Sequence, residues 1–361
     1  MRVLFSITYY TPYVSGLTIY VKRLAEELVK RGHECTVLCM RHDNNLADSE
    51  TINGVRIVRA NPLFRISKGF ISWEWVVKSW LLTKSADVTI VNLPQAEGWM
   101  PAMMTRNKVV AIYHCEIDLP NRFIQAVLEG LNWLTLAVAD KVITYTEDYG
   151  KHSRLLKRFL NKTKYIYPPI PIPKTTDLGI KKPKGETWIG VAARLAQEKG
   201  IEYLIGALPL LKNCKIVVAG PVEPVGEEEY KNRIMKLVEK HKDRVRFLGT
   251  IDPEKMGGFY KLIDVLVLPS VNSTEAFGMV QVEAMMMGVP VVATDLPGVR
   301  VPILKTEMGE VVPIRNPQAL ASAIVKVLKT GSYFAKHRDV VLTEFNINKT
   351  TASWENLLNE I

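Results

Sequence analysis

Two glutamates, Glu275 and Glu283, stand on either side of a turn residue, Gly278. The apolar run Val265–Leu268 precedes them, and the residues around Glu283 have helical spacing. At a helix start, a carboxylate can accept hydrogen bonds from two ribose hydroxyls, and free backbone N–H groups can bind phosphate or sugar oxygens. The structural alternatives are a capping box or a solvated helix face. Together with the preceding strand and turn, the two glutamates favour a ligand site.

Two cations, Arg194 and Lys199, lie in the loop after another apolar run, residues 188–192. A helical segment starts just beyond them, near Gly200. Two cations beside a helix N-terminus are well suited to a diphosphate. Loops also carry solvated lysines and arginines, so these two side chains alone leave both interpretations open.

The first half of the chain contains two further candidates. Gly16 stands where a helix starts after the apolar run 3–7, a position that attracts anions but also occurs in ordinary strand-to-helix loops. His114 follows the run 109–113, where a histidine can donate a hydrogen bond or shuttle protons. Its position is equally compatible with a purely structural role.

Metal and disulfide chemistry have weak signals. Glu116 and Asp118 follow His114 and could bind a metal, but their spacing is not distinctive. The cysteines lack zinc-like C-x2-C spacing, and a reducing cytoplasm is expected to keep them as thiols. They are Cys35, Cys39, Cys115 and Cys214.

Each candidate follows a short apolar run, and such runs alternate with amphipathic stretches along the chain. This alternation indicates parallel sheets covered by helices, in which ligands bind at the carboxyl ends of the strands. The predicted strands are residues 3–7, 35–40, 55–58, 88–91, 109–113 and 142–145, then 188–192, 214–219, 245–248, 265–268 and 291–293.

A proline-rich stretch interrupts the alternation at Pro168, Pro169, Pro171 and Pro173, which predicts an interdomain linker. The length of 361 residues also favours two domains. The expected fold is α/β, with two doubly wound Rossmann-like domains facing a cleft. The predicted parts are a first domain at 1–172, a linker at 173–186, a second domain at 187–340 and a C-terminal helix within 341–361.

The charge is unevenly distributed. The net charge is +10, and residues 1–173 hold 22 Lys+Arg against 15 Asp+Glu, whereas residues 174–361 hold 25 against 22. A basic half indicates an anionic partner: phosphates, nucleic acid or a lipid surface. The sequence has no apolar run of about 20 residues, so we expect no membrane-spanning helix. The N-terminal residues are expected to form a core strand and not a signal peptide.

Residues 63–84 interleave aromatic and basic side chains, and residues 151–158 form a second basic cluster with helical spacing. Such a pattern suits a lipid headgroup surface, and a core helix with a solvated basic face is the alternative. We expect a cytoplasmic protein, peripheral on the inner face of an anionic membrane. The residues are Phe64, Phe70, Trp73, Trp75 and Trp80 with Arg65, Lys68, Lys78 and Lys84.

The Arg-x4-Lys-Gly motif at Arg194, Lys199 and Gly200 and the Glu-x7-Glu motif at Glu275 and Glu283 are specific in combination. A third stretch, GHECTVL at residues 32–38, contributes to the resemblance described next. Over nearly its whole length the chain resembles the retaining glycosyltransferases of the GT-B fold, family 4 type.

This resemblance implies a UDP- or GDP-sugar donor, bound mainly by the second domain, and a first domain on the acceptor side. The sugar would pass to a hydroxyl acceptor with retention of configuration. A lipid-linked or membrane-surface acceptor is the expectation from residues 63–84 and 151–158, which would place the first domain on the membrane. No cofactor and no divalent metal would be required, and the C-terminal helix would cross back to the first domain.

The family also implies roles for individual residues. Arg194 and Lys199 would neutralise the diphosphate, and His114 would hydrogen-bond the sugar and support the transition state. Two glycines are usual near Gly16, but Ser15 precedes it here. The implied catalytic residues are His114, Glu275, Arg194 and Lys199. The implied donor-binding residues are Gly16, Arg194, Lys199, Glu275, Phe277, Gly278, Met279, Val280 and Glu283, of which Glu283 would bind the ribose and Glu275 would face the sugar.

Two other functions remain open. A nucleotide-sugar epimerase of the GT-B fold would share these features but would work without an acceptor. A non-catalytic nucleotide-sugar or anion binder would also account for the charge. A nucleic-acid partner is disfavoured because the basic residues are not part of a known nucleic-acid motif, and no G-x-G-x-x-G follows the first strand as in dinucleotide dehydrogenases.

Overall fold

The computed structural model describes residues 1–66, 69–223 and 226–361. The chain divides into two compact units. The first comprises Met1–Pro169 together with Ile347–Ile361, and the second comprises Ile170–Asn346. Each unit has a parallel sheet of its own, so the predicted α/β fold with two doubly wound domains is confirmed.

The strands of the first unit are β1 Arg2–Ser6, β2 Glu34–Met40, β3 Ser49–Ile52, β4 Val55–Ala60, β5 Phe64–Ile66, β6 Gly69–Ile71, β7 Val88–Leu93, β8 Lys108–Tyr113, β9 Lys141–Thr144 and β10 Thr163–Tyr165. The main sheet has the order β10-β9-β8-β7-β1-β2-β4-β3. It is parallel except for β3, which pairs antiparallel with β4, and β5 and β6 form a separate hairpin. The strand order reverses between β1 and β7, which is where ligands bind in such sheets.

Helices cover this sheet because its strands are apolar on both faces; every residue of β7 is buried. Polar caps start several of them: Ser15 Oγ accepts a hydrogen bond from Thr18 N, and Ser72 Oγ accepts one from Trp75 N, both at 3.2 Å. The helices are α1 Gly16–Lys30, α2 Trp73–Ser85, α3 Trp99–Met104, α4 Arg122–Val138 and α5 Glu147–His152.

The strands of the second unit are β11 Thr187–Ala192, β12 Cys214–Ala219, β13 Val245–Gly249, β14 Val265–Leu268, β15 Val291–Thr294 and β16 Gly309–Val312. Their order is β13-β12-β11-β14-β15-β16, with all pairs parallel. Strand β11, the first of this unit in sequence, is thus the third strand across the sheet. This is the doubly wound order of mononucleotide-binding sheets. The chain changes direction across the sheet between β11 and β14.

The helices of the second unit are α6 Ile201–Ala207, α7 Glu228–Glu239, α8 Met256–Leu262, α9 Met279–Met286, α10 Val301–Thr306, α11 Pro317–Lys329, α12 Gly331–Ala335 and α13 Arg338–Glu344. The final helix, α14 Ile347–Glu360, belongs to the first unit. It does so because Trp354, Leu357 and Leu358 are buried there, and Arg31 at the end of α1 donates to Glu355 at 2.5 Å.

The unit boundaries differ from the predicted ones. The first unit ends at Pro169, and residues 170–186 pack with the second unit, where the carbonyl of Lys174 would lie 2.2 Å from a Cβ placed on Gly257. That close approach explains why the stretch predicted as a linker at 173–186 is not separate from the second unit. At the other end, residues 341–346 belong to the second unit and only α14 joins the first.

Candidate active site

The predicted donor residues of the second unit lie in two loops at its switch point and on helix α9, which follows one of them. Arg194 and Lys199 follow β11, and Glu275 and Gly278 follow β14. Because β11 and β14 are hydrogen-bonded neighbours, the loops at their carboxyl ends lie side by side. The two motifs, about 80 residues apart in sequence, are therefore brought into one place, as the position of ligands in such sheets requires.

An ion pair joins the two loops. Lys199 Nζ donates to Glu275 Oε2 at 2.6 Å, and the side chains are only 19% and 15% exposed. Burial lowers the pKa of Lys199, but the charge and hydrogen bond of Glu275, together with the charge of Glu198, outweigh burial and raise the pKa above its usual value. Lys199 is therefore a permanent cation in a site with little water.

Arg194 also has a carboxylate partner, since its guanidinium pairs with Glu198. The Arg194 side chain is 40% exposed, so it remains accessible to a ligand. The Glu198 carbonyl accepts a hydrogen bond from Val271 N at 2.9 Å, which ties the loop after β11 to the loop after β14. Both predicted diphosphate-binding cations are thus held close to the switch point, each balanced by an acid.

Glycines permit these two loops to meet. Gly200 has φ +61°, and a Cβ there would lie 2.3 Å from the carbonyl oxygen of Pro269. Gly278 has φ +74°, and a Cβ would lie 2.5 Å from Leu268 Cδ2. Both conformations and both contacts exclude a side chain, so the Arg-x4-Lys-Gly motif needs its glycine for close approach.

Glu283 lies on α9 and is buried, with 6% of its surface exposed. The hydroxyl of Tyr260, itself fully buried on α8, donates to Glu283 Oε2 at 2.7 Å. This hydrogen bond fixes the orientation of the Glu283 carboxylate. The predicted ribose-binding residue is therefore a positioned carboxyl group and not a solvated residue on an outer helix face.

The turn before α9 is held from inside the unit. Phe277 is buried against Phe345, with ring centroids 5.9 Å apart, so only its backbone is available to a ligand. The amide of Gln281 donates to the carbonyls of Phe277 and Val299, the latter at 2.9 Å. Met279 and Val280, also predicted to bind the donor, form the partly exposed first turn of α9.

The first unit contains the other two predicted residues. Gly16 is exposed and is the first residue of α1, after the carboxyl end of β1. Ser15 caps this helix and also contacts the Thr18 hydroxyl at 2.8 Å. The serine therefore has a structural role as the cap of α1.

His114 is buried in a hydrogen-bonded network at the carboxyl ends of β7, β8 and β9. Asn92 Nδ2 donates to the Ser6 carbonyl at 3.0 Å, which leaves Asn92 Oδ1 to accept from His114 Nε2–H at 2.9 Å. His114 Nδ1 then accepts from the hydroxyl of Tyr145. Burial lowers the pKa of His114 to about 3, so the imidazole is neutral at physiological pH. Proton shuttling, one of the roles considered for it, is not supported by this environment.

The two acids considered as metal ligands, Glu116 and Asp118, have protein partners. The Glu116 carboxylate accepts from Ser153 Oγ at 2.5 Å and from Arg154 N at 2.8 Å, and Asp118 is exposed beside Arg122. In the described part of the chain, no three His, Cys, Asp or Glu side chains cluster as metal ligands. All four cysteines are free thiols.

Sequence reasoning missed the residues that support the site from behind, namely Tyr260, Gln281, Asn92 and Tyr145. Each is a single polar side chain in an apolar element, and only its burial and partner distinguish it. A tyrosine or amide in a helix has no spacing motif, so no sequence signal would have identified Tyr260 or Gln281.

The segments predicted to contact lipid differ in their structures. The first segment contains β5, β6 and α2, and on α2 Trp73 and Trp80 are 74% and 48% exposed. Trp75 is 1% exposed and packs with Leu4 and Leu38, so its inclusion among the surface aromatics was wrong. Lys68 lies outside the described residues.

The basic cluster at 151–158 is not a continuous helix, contrary to the prediction. Helix α5 ends at His152, because Ser153 Oγ and Arg154 N turn away to bind the Glu116 carboxylate. Two of its basic side chains are paired with acids: Lys151 with Glu147, and Arg154 with Glu116 and Glu129. Among the described residues, no helix combines the length and apolar character needed to cross a bilayer.

The chain matches two family profiles, one in each half. Residues 14–172 match the profile described as Glycosyltransferase Family 4, and residues 176–340 match the profile described as Glycosyl transferases group 1. An uncharacterized glycosyltransferase of Methanocaldococcus jannaschii is 28% identical over 96% of this chain and 93% of that protein. Phosphatidyl-myo-inositol mannosyltransferase of Mycolicibacterium smegmatis is 24% identical over 87% of this chain and 81% of that protein.

Solved structures are also similar along the full length. Sucrose-phosphate synthase from Thermosynechococcus elongatus has a TM-score of 0.84 at 22% identity, covering 99% of this chain and 98% of that one. HepE from Anabaena, in complex with UDP-glucose, has a TM-score of 0.78 at 19% identity and covers both chains completely. At such identities these likenesses show the fold.

Two doubly wound parallel sheets and these structural neighbours define a glycosyltransferase of the GT-B type. The chain belongs to glycosyltransferase family 4, and it is a hexosyltransferase-type enzyme of class EC 2.4. The family and fold implied by the sequence motifs are thereby confirmed.

The burial of His114 predicts a pH-dependent stability. Its pKa is about 3 in the folded chain and about 6.5 when unfolded, so the unfolded chain binds the extra proton between these values. This contribution to stability is complete above about pH 6.5 and falls by about 1.4 kcal/mol for each pH unit below it. Urea unfolding of wild type and His114→Gln at several pH values measures it. The variant curve should be flatter in acid, whereas the exposed control His152→Gln should follow wild type. Parallel curves for wild type and His114→Gln would contradict the assigned pKa.

Proposed function

We propose that the chain transfers a hexosyl group from a UDP- or GDP-sugar to a hydroxyl acceptor, with retention of configuration and without a divalent metal. The observation that carries this proposal is the switch-point site of the second unit, where Lys199 and Glu275 pair at 2.6 Å. The likeness to HepE, which was solved with UDP-glucose, supports a nucleotide-sugar donor.

The diphosphate of the donor would bind by exchange of anions. In the structure, Glu275 and Glu198 balance Lys199 and Arg194. The diphosphate of a nucleotide sugar carries as many negative charges as these two carboxylates, and it holds them on adjoining phosphates with several acceptor oxygens, so it can displace the carboxylates from the cations. The backbone N–H groups at the start of α9, opened by Gly278, would add to its stabilisation.

This exchange would give each glutamate a separate function. Glu275, released from Lys199, becomes free to accept hydrogen bonds from hydroxyls of the transferred sugar. Glu283 would accept the two ribose hydroxyls, with one of its oxygens oriented by Tyr260. Two cations and a helix N-terminus aimed at the leaving diphosphate stabilise the charge that develops there, which is work a divalent ion performs in other transferases.

His114 would act in the reaction as a neutral group. Its ring nitrogens are occupied by Asn92 and Tyr145, so a hydrogen bond to the sugar requires that one of these contacts be exchanged for a sugar hydroxyl. Gly16, at the exposed start of α1, would approach the diphosphate from the first unit.

We further propose a lipid-linked acceptor and a peripheral, cytoplasmic location on the inner face of a membrane. The Mycolicibacterium smegmatis relative is a phosphatidyl-myo-inositol mannosyltransferase, which supports an acceptor of this class. The first unit also exposes large apolar side chains on α2 and α4: Trp73, Val77, Trp80 and Leu81 with Phe123, Ile124, Val127 and Trp133. Helix α3, which contacts both α2 and α4, adds the exposed Met103. Such a concentration of exposed apolar surface is typical of a docking face.

Donor binding and transfer are tested together with UDP-, GDP- and ADP-sugars in excess EDTA. Glu283→Gln should raise the KM for the donor about ten-fold or more, because a charged acceptor to the ribose is lost. Tyr260→Phe should raise it by a smaller factor, and the exposed control Glu239→Gln should leave it unchanged. NMR of the product should show the anomeric configuration of the donor.

Other outcomes of that experiment identify the alternatives. An epimerised sugar released without an acceptor would show the epimerase. Donor binding with no turnover on any hydroxyl acceptor would show a binding protein. Donor affinity that is equal in wild type and Glu283→Gln would refute the ribose assignment.

The proposed lipid surface predicts an effect of its tryptophans. Each exposed tryptophan that enters the bilayer contributes about 2 kcal/mol, so Trp73→Ser with Trp80→Ser should weaken vesicle binding at least about ten-fold. Flotation with phosphatidylcholine vesicles, with and without phosphatidylglycerol, measures this. Tyr333→Ser, which removes an exposed aromatic residue from the second unit, is the control. Equal flotation of wild type and the double variant would remove the support for this surface.

A further inference from the structure

The amino-terminal edge of the second sheet has two adjoining grooves that no part of the proposed reaction uses. The larger, of about 710 Å³, lies before β11 and β12, and the smaller, of about 360 Å³, lies before β11 and β13. Seven cations but only two carboxylates, Glu186 and Asp243, line them. We call six of these cations the basic edge: Lys181, Lys184, Lys212, Lys242, Arg244 and Arg246.

The charge of the basic edge is not balanced locally. The Glu186 carboxylate is taken up by Lys215 Nζ at 2.9 Å and by Trp188 Nε1 at 2.8 Å. In the described part of the chain, Lys181, Lys184 and Lys212 are exposed and have no carboxylate partner, and the same holds for Lys242 and Arg246. Residues 174–361 as a whole carry only three more cations than anions, 25 against 22, so this edge is a local concentration of charge.

Arg244 provides a fixed positive charge in the larger groove. Its guanidinium donates to the carbonyls of Leu208 at 2.8 Å, Leu211 at 2.5 Å and Cys214 at 3.1 Å. These oxygens satisfy its hydrogen bonds but do not cancel its charge. The groove therefore has a rigid cation within it and flexible lysines at its rim.

An apolar side chain projects beside these cations. Leu210, in the 3-10 turn Leu208–Leu210, is 54% exposed and lies two residues before Lys212. An isolated exposed leucine is unremarkable, but an apolar tip surrounded by lysines matches the boundary between lipid headgroups and acyl chains. A nucleic acid would instead favour exposed aromatic rings, and the aromatic residue of this edge, Trp188, is buried.

The basic edge is separate from the donor site. Glu186 precedes β11 and Arg194 follows it, so an extended strand places the two ends of the sheet about 25 Å apart. An anion at the basic edge is therefore not the diphosphate of the donor.

We propose that the basic edge docks the second unit on an anionic phospholipid bilayer, with Leu210 entering the headgroup region. Lipid phosphates occupy the two grooves and contact the exposed lysines and Arg246. This inference does not depend on the identity of the acceptor or on the aromatic surface of the first unit, because different residues in a different unit carry it.

The test is vesicle binding by the full chain with Lys184→Glu and Lys212→Glu combined. Each lysine near an anionic surface contributes about a five-fold gain in affinity, so the double reversal should weaken binding about twenty-fold or more on vesicles containing phosphatidylglycerol. Lys236→Glu with Lys329→Glu, which changes the net charge equally outside both grooves, should weaken it far less. Leu210→Ser should weaken binding by a factor that persists when salt is raised from about 0.1 M to about 0.5 M, where screening suppresses the lysine contribution.

Several outcomes overturn the inference. Equal losses in the groove variant and its charge-matched control would show nonspecific attraction. Binding that depends on Trp73 and Trp80 but not on Lys184 and Lys212 would leave the first-unit surface standing alone. No binding of wild type to anionic vesicles, or stronger binding of the basic edge to inorganic tripolyphosphate or to duplex DNA than to vesicles, would also refute it. Donor KM in the groove variant should equal wild type, which separates this result from a failure of the proposed function.

Discussion

The ion pair between Lys199 and Glu275 is the contact on which the proposed donor site depends. It joins the loop after β11 to the loop after β14, and it can form only because Gly200 lets one backbone approach the Pro269 carbonyl. A cation with so little water around it requires a nearby anion, since an unpaired buried charge is costly. In the structure that anion is Glu275, and in the proposed complex it is a diphosphate. Donor binding would then release the Glu275 carboxylate. The cations would bind the diphosphate on one side of the bond that breaks, and Glu275 would bind the sugar on the other.

The cations at the two ends of the second sheet differ in whether they have acidic partners. At the carboxyl end, Lys199 and Arg194 each have an acidic partner, so the positive charge of the site is balanced locally. At the amino end, the lysines around Arg244 have no such partners, and the side chains are exposed. The first arrangement suits selective binding of a small ligand, and the second suits an extended anionic surface.

The sequence predicted the sheets and the carboxyl-end loops because buried parallel strands are short apolar runs, as at 188–192 and 265–268. It missed β3, the β5–β6 hairpin, β10 and β16, which are short or lie at sheet edges, where burial imposes less of a pattern. The donor motif was predictable because Glu275 and Glu283 have a fixed spacing along a strand, a turn and a helix, and this spacing determines where their side chains lie. The support from Tyr260 and Gln281, and the burial of His114 and Trp75, arise from contacts between distant elements that no local pattern encodes.

Titration calorimetry of UDP and GDP in EDTA tests the exchange of anions most directly, because it compares the two partners of the ion pair. Lys199→Met should weaken binding of the preferred nucleoside diphosphate about ten-fold or more, since a charged contact is lost. Glu275→Gln should bind it as tightly as wild type or more tightly, because the competing carboxylate is gone, and yet should transfer sugar more slowly. Equal affinity in wild type and Lys199→Met, or an affinity in Glu275→Gln reduced as much as in Lys199→Met, would contradict the exchange.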